Sequence, residues 1–376
     1  MAHAIAWLGA LRCGGKLPQM RKLRIVIYVG IAALITAHCY RYPMYDVDLL
    51  SYAGNVALFG TSDPVQVHRV VYQYPLTSHL RGLDKDDELA QILRRRAADA
   101  YYSAAYLPYF SVKPLYVLAM EAAHKLGASV IDASRIVSAL FFFGIAIVVW
   151  LYTSSLFAVV ILVLPEAMIL GQSLEPDGMS VFLLLVGLWV LFIKKKEIGI
   201  LPIVCSVWVR PDNVIACVVI LAFLYASRRI SRSQTIILLL LALASEALIS
   251  HYGYGLRALY DHTFLGGDPT GVPHFTGVDY TRALLRGVNE LIHSSVPIFS
   301  LLWLLAYGSL KNGIRQILGI AAIYSALRFV VYPSYEPRYY SVFFLITAIA
   351  ALLSIREVFA RRSYLNGVPV RAPFHA

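Results

Sequence analysis

What most constrains this chain is a series of apolar runs poor in charge, at residues 24–40, 105–126, 133–153, 155–171, 178–193, 198–210, 213–226, 234–250, 291–309, 313–331 and 339–355. Runs approaching the roughly 20 apolar residues that cross hydrocarbon read as membrane segments. No water reaches backbone N–H and C=O groups inside a bilayer, so each crossing must be a helix that satisfies them internally. Only 15% of the 376 residues are charged and mean hydropathy is +0.66, against about 25% charged residues in an average soluble domain. Such a chain is neither a soluble enzyme nor a disordered segment nor a coiled coil. The expected fold is an all-α polytopic membrane bundle of about ten to twelve helices with long outer loops.

Where the scarce charge falls orients the bundle. Lys and Arg total 33 against 22 Asp and Glu, a net charge of +11. Much of that excess sits in short segments between runs rather than in a basic stripe interleaved with aromatics, so it points to the membrane and not to nucleic acid. Lys16, Arg21, Lys22 and Arg24 precede the first run, and no small-residue cleavage site follows it. The start therefore reads as a retained first helix with a cytoplasmic N-terminus. Lys194-Lys195-Lys196, Arg228-Arg229 with Arg232, Lys311 with Arg315, and Arg356 with Arg361-Arg362 follow alternate crossings.

Holding these clusters in the cytoplasm puts Glu175-Pro176-Asp177, Arg210-Pro211-Asp212, the stretch 251–290 and Tyr335-Glu336-Pro337-Arg338 on the outer face. The expected organisation is a cytoplasmic tail over 1–23, a transmembrane domain over 24–355 and a cytoplasmic tail over 356–376. Eleven crossings would separate the termini, whereas both termini are basic. One element within 105–171 is therefore expected to be re-entrant, or two runs there to be wrongly divided.

Two outer segments, 41–104 and 251–290, are much longer than connectors, and loops beyond about 15 residues are commonly functional or disordered. The first holds Asp84-Lys85-Asp86-Asp87-Glu88 and Arg94-Arg95-Arg96. Its last part reads either as an amphipathic helix along the interface or as a solvated, charge-balanced loop. The second is rich in Gly, His, Asp and aromatics and begins at His251. Cys13, Cys39, Cys205 and Cys217 form no CxxC pair, so packing is expected of them rather than disulfide or zinc chemistry.

Ionisable residues at helix mouths cost free energy in a membrane and so draw a functional reading. Tyr45-Asp46-Val47-Asp48 offers two carboxylates that can supply a general base or share a divalent cation, although paired acids are common in any solvated loop. Lys113-Pro114-Leu115-Tyr116 sets a lysine at a helix start, where it snorkels to headgroups or grips a phosphate. Glu175 and Asp177 suit the first turn of a helix, whose dipole favours acids. Arg210 is wedged between two short runs, either paired with Asp212 or presented to an anion. Glu336, Arg338 and Tyr339 have the same character at the start of the last run. Carboxylates beside cations at one face fit transfer from a phosphate-bearing lipid, the cations stabilising the leaving phosphate and a carboxylate taking the acceptor proton.

In the order of these motifs the chain resembles the bacterial GT-C superfamily of polyprenyl-phosphate-sugar-dependent glycosyltransferases, in particular its aminoarabinose-transferase and protein-mannosyltransferase branch. The likeness rests on the acidic pair Asp46 and Asp48 after the first helix and on the Lys113-Pro114-Leu115-Tyr116 element. It continues through Arg135 to Leu140 as Arg-x-x-Ser-Ala-Leu, then Asp177, Arg210 to Asp212, and Arg338-Tyr339. The resemblance covers most of residues 20–355. It implies a multi-pass protein of the bacterial inner membrane with a site facing the periplasm or outside. It also implies a first-loop Asp as base, and inverting transfer of one sugar from the lipid carrier to a cell-envelope glycan, lipid or protein.

Carried over, Asp46 is the leading base with Asp48 behind it, and Lys113, Arg210 and Arg338 are the donor-phosphate contacts. Tyr45, Tyr116, Glu175, Asp177, Asp212, His251, Glu336 and Tyr339 complete the candidate pocket. No cofactor is required, although Asp46 and Asp48 could hold a divalent cation. The chain departs from the pattern in carrying one proline after Lys113 where relatives often have two, and Asp-Val-Asp where many have adjacent acids. The rival readings are a flippase or transporter of lipid-linked sugars, a ligase or polymerase of lipid-linked glycans, and a structural membrane subunit.

Overall fold

In a computed structural model of the chain, residues 17–46, 48–73, 88–253, 264, 276–310 and 312–365 are described. Among them every regular element is helical, and extended pairing is limited to an isolated bridge between Met44 and Ser173. The first helix, α1 (Leu17–Arg41), buries Tyr28, Ala32 and Cys39 at helical spacing and leaves Val26, Ile27 and Leu34 exposed. An exposed apolar face of that kind is at home in hydrocarbon, not in water. The buried Tyr28 hydroxyl donates to the Ala146 carbonyl at 2.8 Å, as a polar group in apolar surroundings must.

From Asp48 to Lys125 the described chain stays at one end of the molecule. The helices α2 (Asp48–Ala57), α3 (Pro64–Tyr72), α4 (Glu88–Ala98), α5 (Ala100–Ala104), α6 (Leu107–Phe110) and α7 (Pro114–Lys125) build their own core from Leu49, Tyr52, Val56, Tyr106, Phe110 and Tyr116. Asp63 caps α3 by accepting from Val65 N–H, and Asp99 caps α5 by accepting from Tyr101 and Tyr102 N–H. Where it is described, then, the segment 41–104 is a packed helical lobe rather than a plain loop. Its helix α4 buries Ala90, Leu93 and Arg96 at three-residue intervals, and Arg96 donates to Ser51 Oγ at 2.7 Å. The acidic run Asp84 to Asp87 lies outside the described residues.

The run 105–126 is likewise no crossing. Pro108 and Pro114 remove backbone donors and confine helix to their C-terminal sides, so the run breaks into α6 and α7. The 12 residues of α7 span about 18 Å at a 1.5 Å rise, well short of the roughly 30 Å of hydrocarbon. Leu115 N–H donates to Trp208 O at 3.0 Å and the Tyr116 hydroxyl lies 2.8 Å from Ser134 Oγ, which ties the first turn of α7 to one end of the bundle. Gly127, at φ +102°, then turns the chain through a conformation open mainly to glycine.

The other helices run between two ends. α8 (Val130–Thr153) starts where α1 finishes, with Arg135 donating to Tyr40 O at 3.0 Å, and ends where Arg356 donates to Thr153 O. A broken pass returns through Leu156–Ala158, α9 (Val159–Leu162) and α10 (Pro165–Gln172) to the Met44–Ser173 bridge. α11 (Asp177–Leu188) continues as a π-turn over Trp189–Ile193, and α12 (Ile200–Val207), α13 (Val214–Ala226) and α14 (Arg232–Tyr252) follow. α15 (Gly277–Ile292) is bent by 67° from α16 (Val296–Ser309) and packs beside the bundle end, its Tyr280 hydroxyl donating to Val330 O. α17 (Asn312–Val331) and α18 (Ser341–Leu365) complete the bundle. Its core includes Phe142, Val149, Leu185, Ile220, Leu318 and Ile346.

Among the described residues five stretches are long and apolar enough to cross a membrane: Met20–Arg41, Val130–Thr153, Arg232–His251, Gly313–Val331 and Pro337–Phe359. Taking the bent pair α15 and α16 as one span makes six. The protein is an all-α, multi-spanning membrane protein. The α1 exit lies at the start of α8, and Arg356 of α18 reaches the other end of α8 at Thr153 O, so α18 finishes at the end where α1 begins and the conflict of parity that eleven runs created is removed.

Charge divides between the ends. At one, Arg229 donates to Leu191 O at 2.8 Å and pairs with Glu197 at 3.0 Å, Arg315 donates to Leu310 O at 2.8 Å, and Arg356 reaches Thr153 O. The opposite end holds the buried acids described below.

A close approach of α11 to the start of α12 depends on two small residues. A Cβ on Gly199 would lie 2.8 Å from Gly187 O and 2.9 Å from Leu191 N, both backbone atoms that cannot swing aside. Gly199→Ala is therefore expected to destabilise the fold by about 1–3 kcal/mol, read as a lower melting temperature of the detergent-solubilised chain. Gly319→Ala, where nothing lies within 4 Å, is the control and should not melt earlier. Equal melting of the two variants would remove the close contact as a determinant of the fold.

Candidate functional site

The site forms where five parts of the chain meet: the exit of α1, the lobe, the α10–α11 connection, the start of α13 and the start of α18. The bridge that sets the α1 exit beside the α10–α11 connection includes Met44 N–H donating to Gln172 O at 2.9 Å. This brings Asp46 and Asp48 to Glu175, and the three offer carboxylate oxygens within 4.8 Å of one another. Asp46 Oδ1 accepts from Asp48 N–H at 3.2 Å, an Asp turn that opens α2, and Asp48 in the first turn faces the positive end of the helix dipole.

Arg338 binds this acidic group. Its guanidinium makes an ion pair with Glu175, lies 3.7 Å from Asp46 Oδ2, and pairs through Nε with Glu336. A second network begins at Asp177, whose carboxylate pairs with Arg210. Arg210 clasps Asp212 with two bonds, at 3.0 and 3.1 Å, and Arg328 Nε reaches Asp212 Oδ2 at 2.7 Å. The ring of Tyr339 joins the networks, with the guanidinium carbons of Arg328, Arg210 and Arg338 at 4.0, 4.6 and 5.3 Å from its centroid. Cations near an aromatic ring gain from its quadrupole, and the carboxylates of Asp177, Asp212, Glu175 and Glu336 offset the repulsion among the three guanidinium groups. Below these, Asn213 Nδ2 donates to Ser180 Oγ at 2.7 Å and the Tyr324 hydroxyl donates to Asn213 Oδ1 at 3.0 Å.

Lys113 enters from the lobe. It stands at the N-cap of α7, where Pro114 follows as the first helical residue. Its Nζ donates to the Tyr52 hydroxyl and lies 5.0 Å from the Tyr52 ring and 5.5 Å from that of Phe110. Burial pushes its ammonium down to about 8, an effect that the carboxylate of Asp48 opposes. Burial, and then the like charge of Asp46, push Asp48 up to about 6, while Lys113 and Arg338 pull it down and Arg96 adds a weaker pull. Burial and the neighbouring Asp177 and Asp48 push Glu336 up to about 7.

The residues singled out in the sequence thus gather in large part. Asp46, Asp48, Lys113, Glu175, Asp177, Arg210, Asp212, Glu336, Arg338 and Tyr339 form one continuous cluster. Tyr116 supports it from beneath: it is fully buried, edge-on to Tyr52, and within hydrogen-bond reach of Ser134, which donates to Leu174 O at 2.9 Å. Tyr45 packs against the lobe core. His251 is exposed at the end of α14, and most of the second long segment that it opens lies outside the described residues.

The helix-start reading holds for Asp177, the first residue of α11, but neither acid caps the helix with its side chain. The cap of α11 is Pro176 with no side-chain cap bond, and both acids are committed to arginines. Both cationic phosphate candidates from the arginines, Arg210 and Arg338, already hold carboxylates. The sequence reading passed over Arg328, Tyr52 and Tyr324. Arg328 carried a usable signal, an ionisable residue within the apolar run 313–331.

A small cleft lies between Asp177, Arg210, Asn213, Tyr324 and Arg328, with a volume of about 10 Å³, close to that of one water. Asp177 Oδ2 and Arg328 Nη1 are buried without a hydrogen-bond partner among the described residues. No protein-family model, no curated protein and no solved structure matches the chain.

Proposed function

We propose that this protein is an integral membrane glycosyltransferase of GT-C-like plan. It would move a single sugar from a polyprenyl-phosphate donor to a cell-envelope glycan, lipid or protein, at the outer face of the bacterial inner membrane. The observation that carries the reading is the meeting of Asp46, Asp48, Lys113, Arg210 and Arg338, from separate stretches of chain, at one end of a membrane bundle.

In this reading the donor phosphate rests chiefly on Lys113. Its ammonium donates to the neutral Tyr52 hydroxyl and makes no ion pair among the described residues, whereas Arg210 and Arg338 are held by acids. The arginines act as a rigid positive frame around Tyr339. Asp46, with 37% of its side chain exposed, is the carboxylate an acceptor can reach. It takes the proton of the acceptor hydroxyl as that oxygen bonds to the anomeric carbon. The bond from that carbon to the phosphate oxygen breaks on the opposite face, and the polyprenyl phosphate leaves with the electron pair, so the configuration inverts.

A transporter of lipid-linked sugars would need a polar path near the membrane midplane. The buried acids and the arginines that hold them gather here at one end of the bundle. The test is mass analysis of envelope glycans and lipids from cells with and without the gene. One sugar residue missing from one acceptor, with its polyprenyl-phosphate donor accumulating, is the expected result. Unchanged glycans, or loss of a whole oligosaccharide, would remove the single-sugar transferase.

A further inference from the structure

The helix α15 presents three faces. One is docked: Tyr280 donates to Val330 O, a Cβ on Gly287 would lie 2.8 Å from Pro333 O, and Leu291 packs with Phe299, Tyr340 and Phe344. A second is charged and internally balanced, with Arg282 3.5 Å from Asp279 and Arg286 2.8 Å from Glu290. The third is apolar and open. Val278, Leu285, Val288 and Ile292 are between 40% and 67% exposed. At about 3.6 residues per turn these four fall in one narrow sector, between the docked face and the charged one.

The neighbouring helix shows what covers that sector. Beyond the 67° bend, α16 again exposes apolar residues, Ile298, Leu301, Leu304 and Leu305, and on a helix that enters the membrane such a face meets acyl chains. The 14 residues of α16 rise about 21 Å, short of the roughly 30 Å of hydrocarbon. Arg315, donating to Leu310 O, marks the far end of α16. The bend into α15 therefore lies at or below the hydrocarbon boundary. A turn of 67° there lays α15 close to the membrane plane, docked sideways on the bundle, with its open apolar sector toward the lipid and its charged sector away from it.

We propose that α15 is an interfacial helix: Val278, Leu285, Val288 and Ile292 sit among the acyl chains of the phospholipid leaflet at the site end of the bundle, and the Arg282 and Arg286 ion pairs lie at headgroup level. Burial of apolar area drives the insertion. The two arginines are matched by Asp279 and Glu290, so the helix carries no excess charge that would select an anionic headgroup. Its docking partners Val330 and Pro333 lie in the chain between Arg328 and Arg338, so α15 sets the leaflet surface beside the charged cluster. A phosphate-bearing lipid would then meet the cluster without leaving the leaflet. That consequence rests on the transferase reading, whereas the interfacial helix does not.

The test replaces Leu285, Ile292 or Arg286, one at a time, by the photo-crosslinking residue p-benzoylphenylalanine in the full chain, reconstituted in phosphatidylcholine vesicles. Neither donor nor acceptor is present, so the result is independent of the glycan comparison. After illumination, mass analysis should find phospholipid adducts at 285 and 292 in several-fold higher yield than at 286. Replacing part of the phosphatidylcholine by phosphatidylglycerol should leave those yields unchanged. All three side chains point away from the docked face, and 285 and 292 each read the stripe if the other variant fails to fold. Adduct yields at 285 and 292 no higher than at 286 would place the stripe outside the acyl region. Cross-links between two chains in place of lipid adducts would assign it to a second copy, and adducts that require phosphatidylglycerol would assign the contact to charge. Any of these three results overturns the proposal.

Discussion

Asp46→Asn is expected to cut sugar transfer by about 10²–10⁴-fold, the usual worth of a positioned general base, while the protein folds and melts as the parent does. The geometry separates the two effects. Asn Oδ1 still accepts from Asp48 N–H, so the turn that opens α2 survives, and among the described residues the other side-chain contact is with Arg338 at 3.7 Å. Exposed at the rim, the residue contributes little to burial. The measurement is turnover of a reconstituted variant with a polyprenyl-phosphate donor, run at several Mn²⁺ concentrations up to saturation. If saturating Mn²⁺ restores the rate, Asp46 acts through a cation and not as the base. Full turnover without added metal would pass the base to Asp48, for which Asp48→Asn is the matching experiment.

What the sequence disclosed and what it withheld follow from the range of the interactions. Lys194 to Lys196, Arg228 with Arg229, and Arg356 could be placed together at one end because alternation along the chain is a one-dimensional property, and their contacts with Leu191, Glu197 and Thr153 agree. That the candidates Asp46, Lys113, Arg210 and Arg338 belong together was also legible, since each marks a polar break at the mouth of an apolar run.

Which charge meets which was not legible. Arg210 pairs with Asp177 at a separation of 33 residues and Arg328 with Asp212 at 116, and no local pattern encodes such pairs. Hydropathy also misread 105–126, because an averaged window registers the apolar content of α6 and α7 but not the breaks at Pro108 and Pro114. The same averaging concealed Arg328, which follows an uncharged stretch from Gln316 to Leu327.

Arg328 carries the largest expected effect on stability. It is 2% exposed, and its charge is balanced within the bundle by Asp212 at 2.7 Å and by the Tyr339 ring at 4.0 Å. Removing one partner of a buried pair leaves the other charge uncompensated, at a cost of about 3–5 kcal/mol. Here Asp212 would keep Arg210, so Arg328→Met, which preserves much of the apolar stem, is expected at the lower end of that range. Asp212→Asn strips a carboxylate from Arg210 and Arg328 together and is expected at the upper end. Melting of the detergent-solubilised variants measures both, and the double variant tests the coupling. If the two groups act as a pair, Arg328→Met should cost markedly less in the Asp212→Asn background than alone, because the charge that Arg328 pairs with is already gone. Costs that simply add would mean that Arg328 is held by Tyr339 and by packing, and that the ion pair contributes nothing to the bundle.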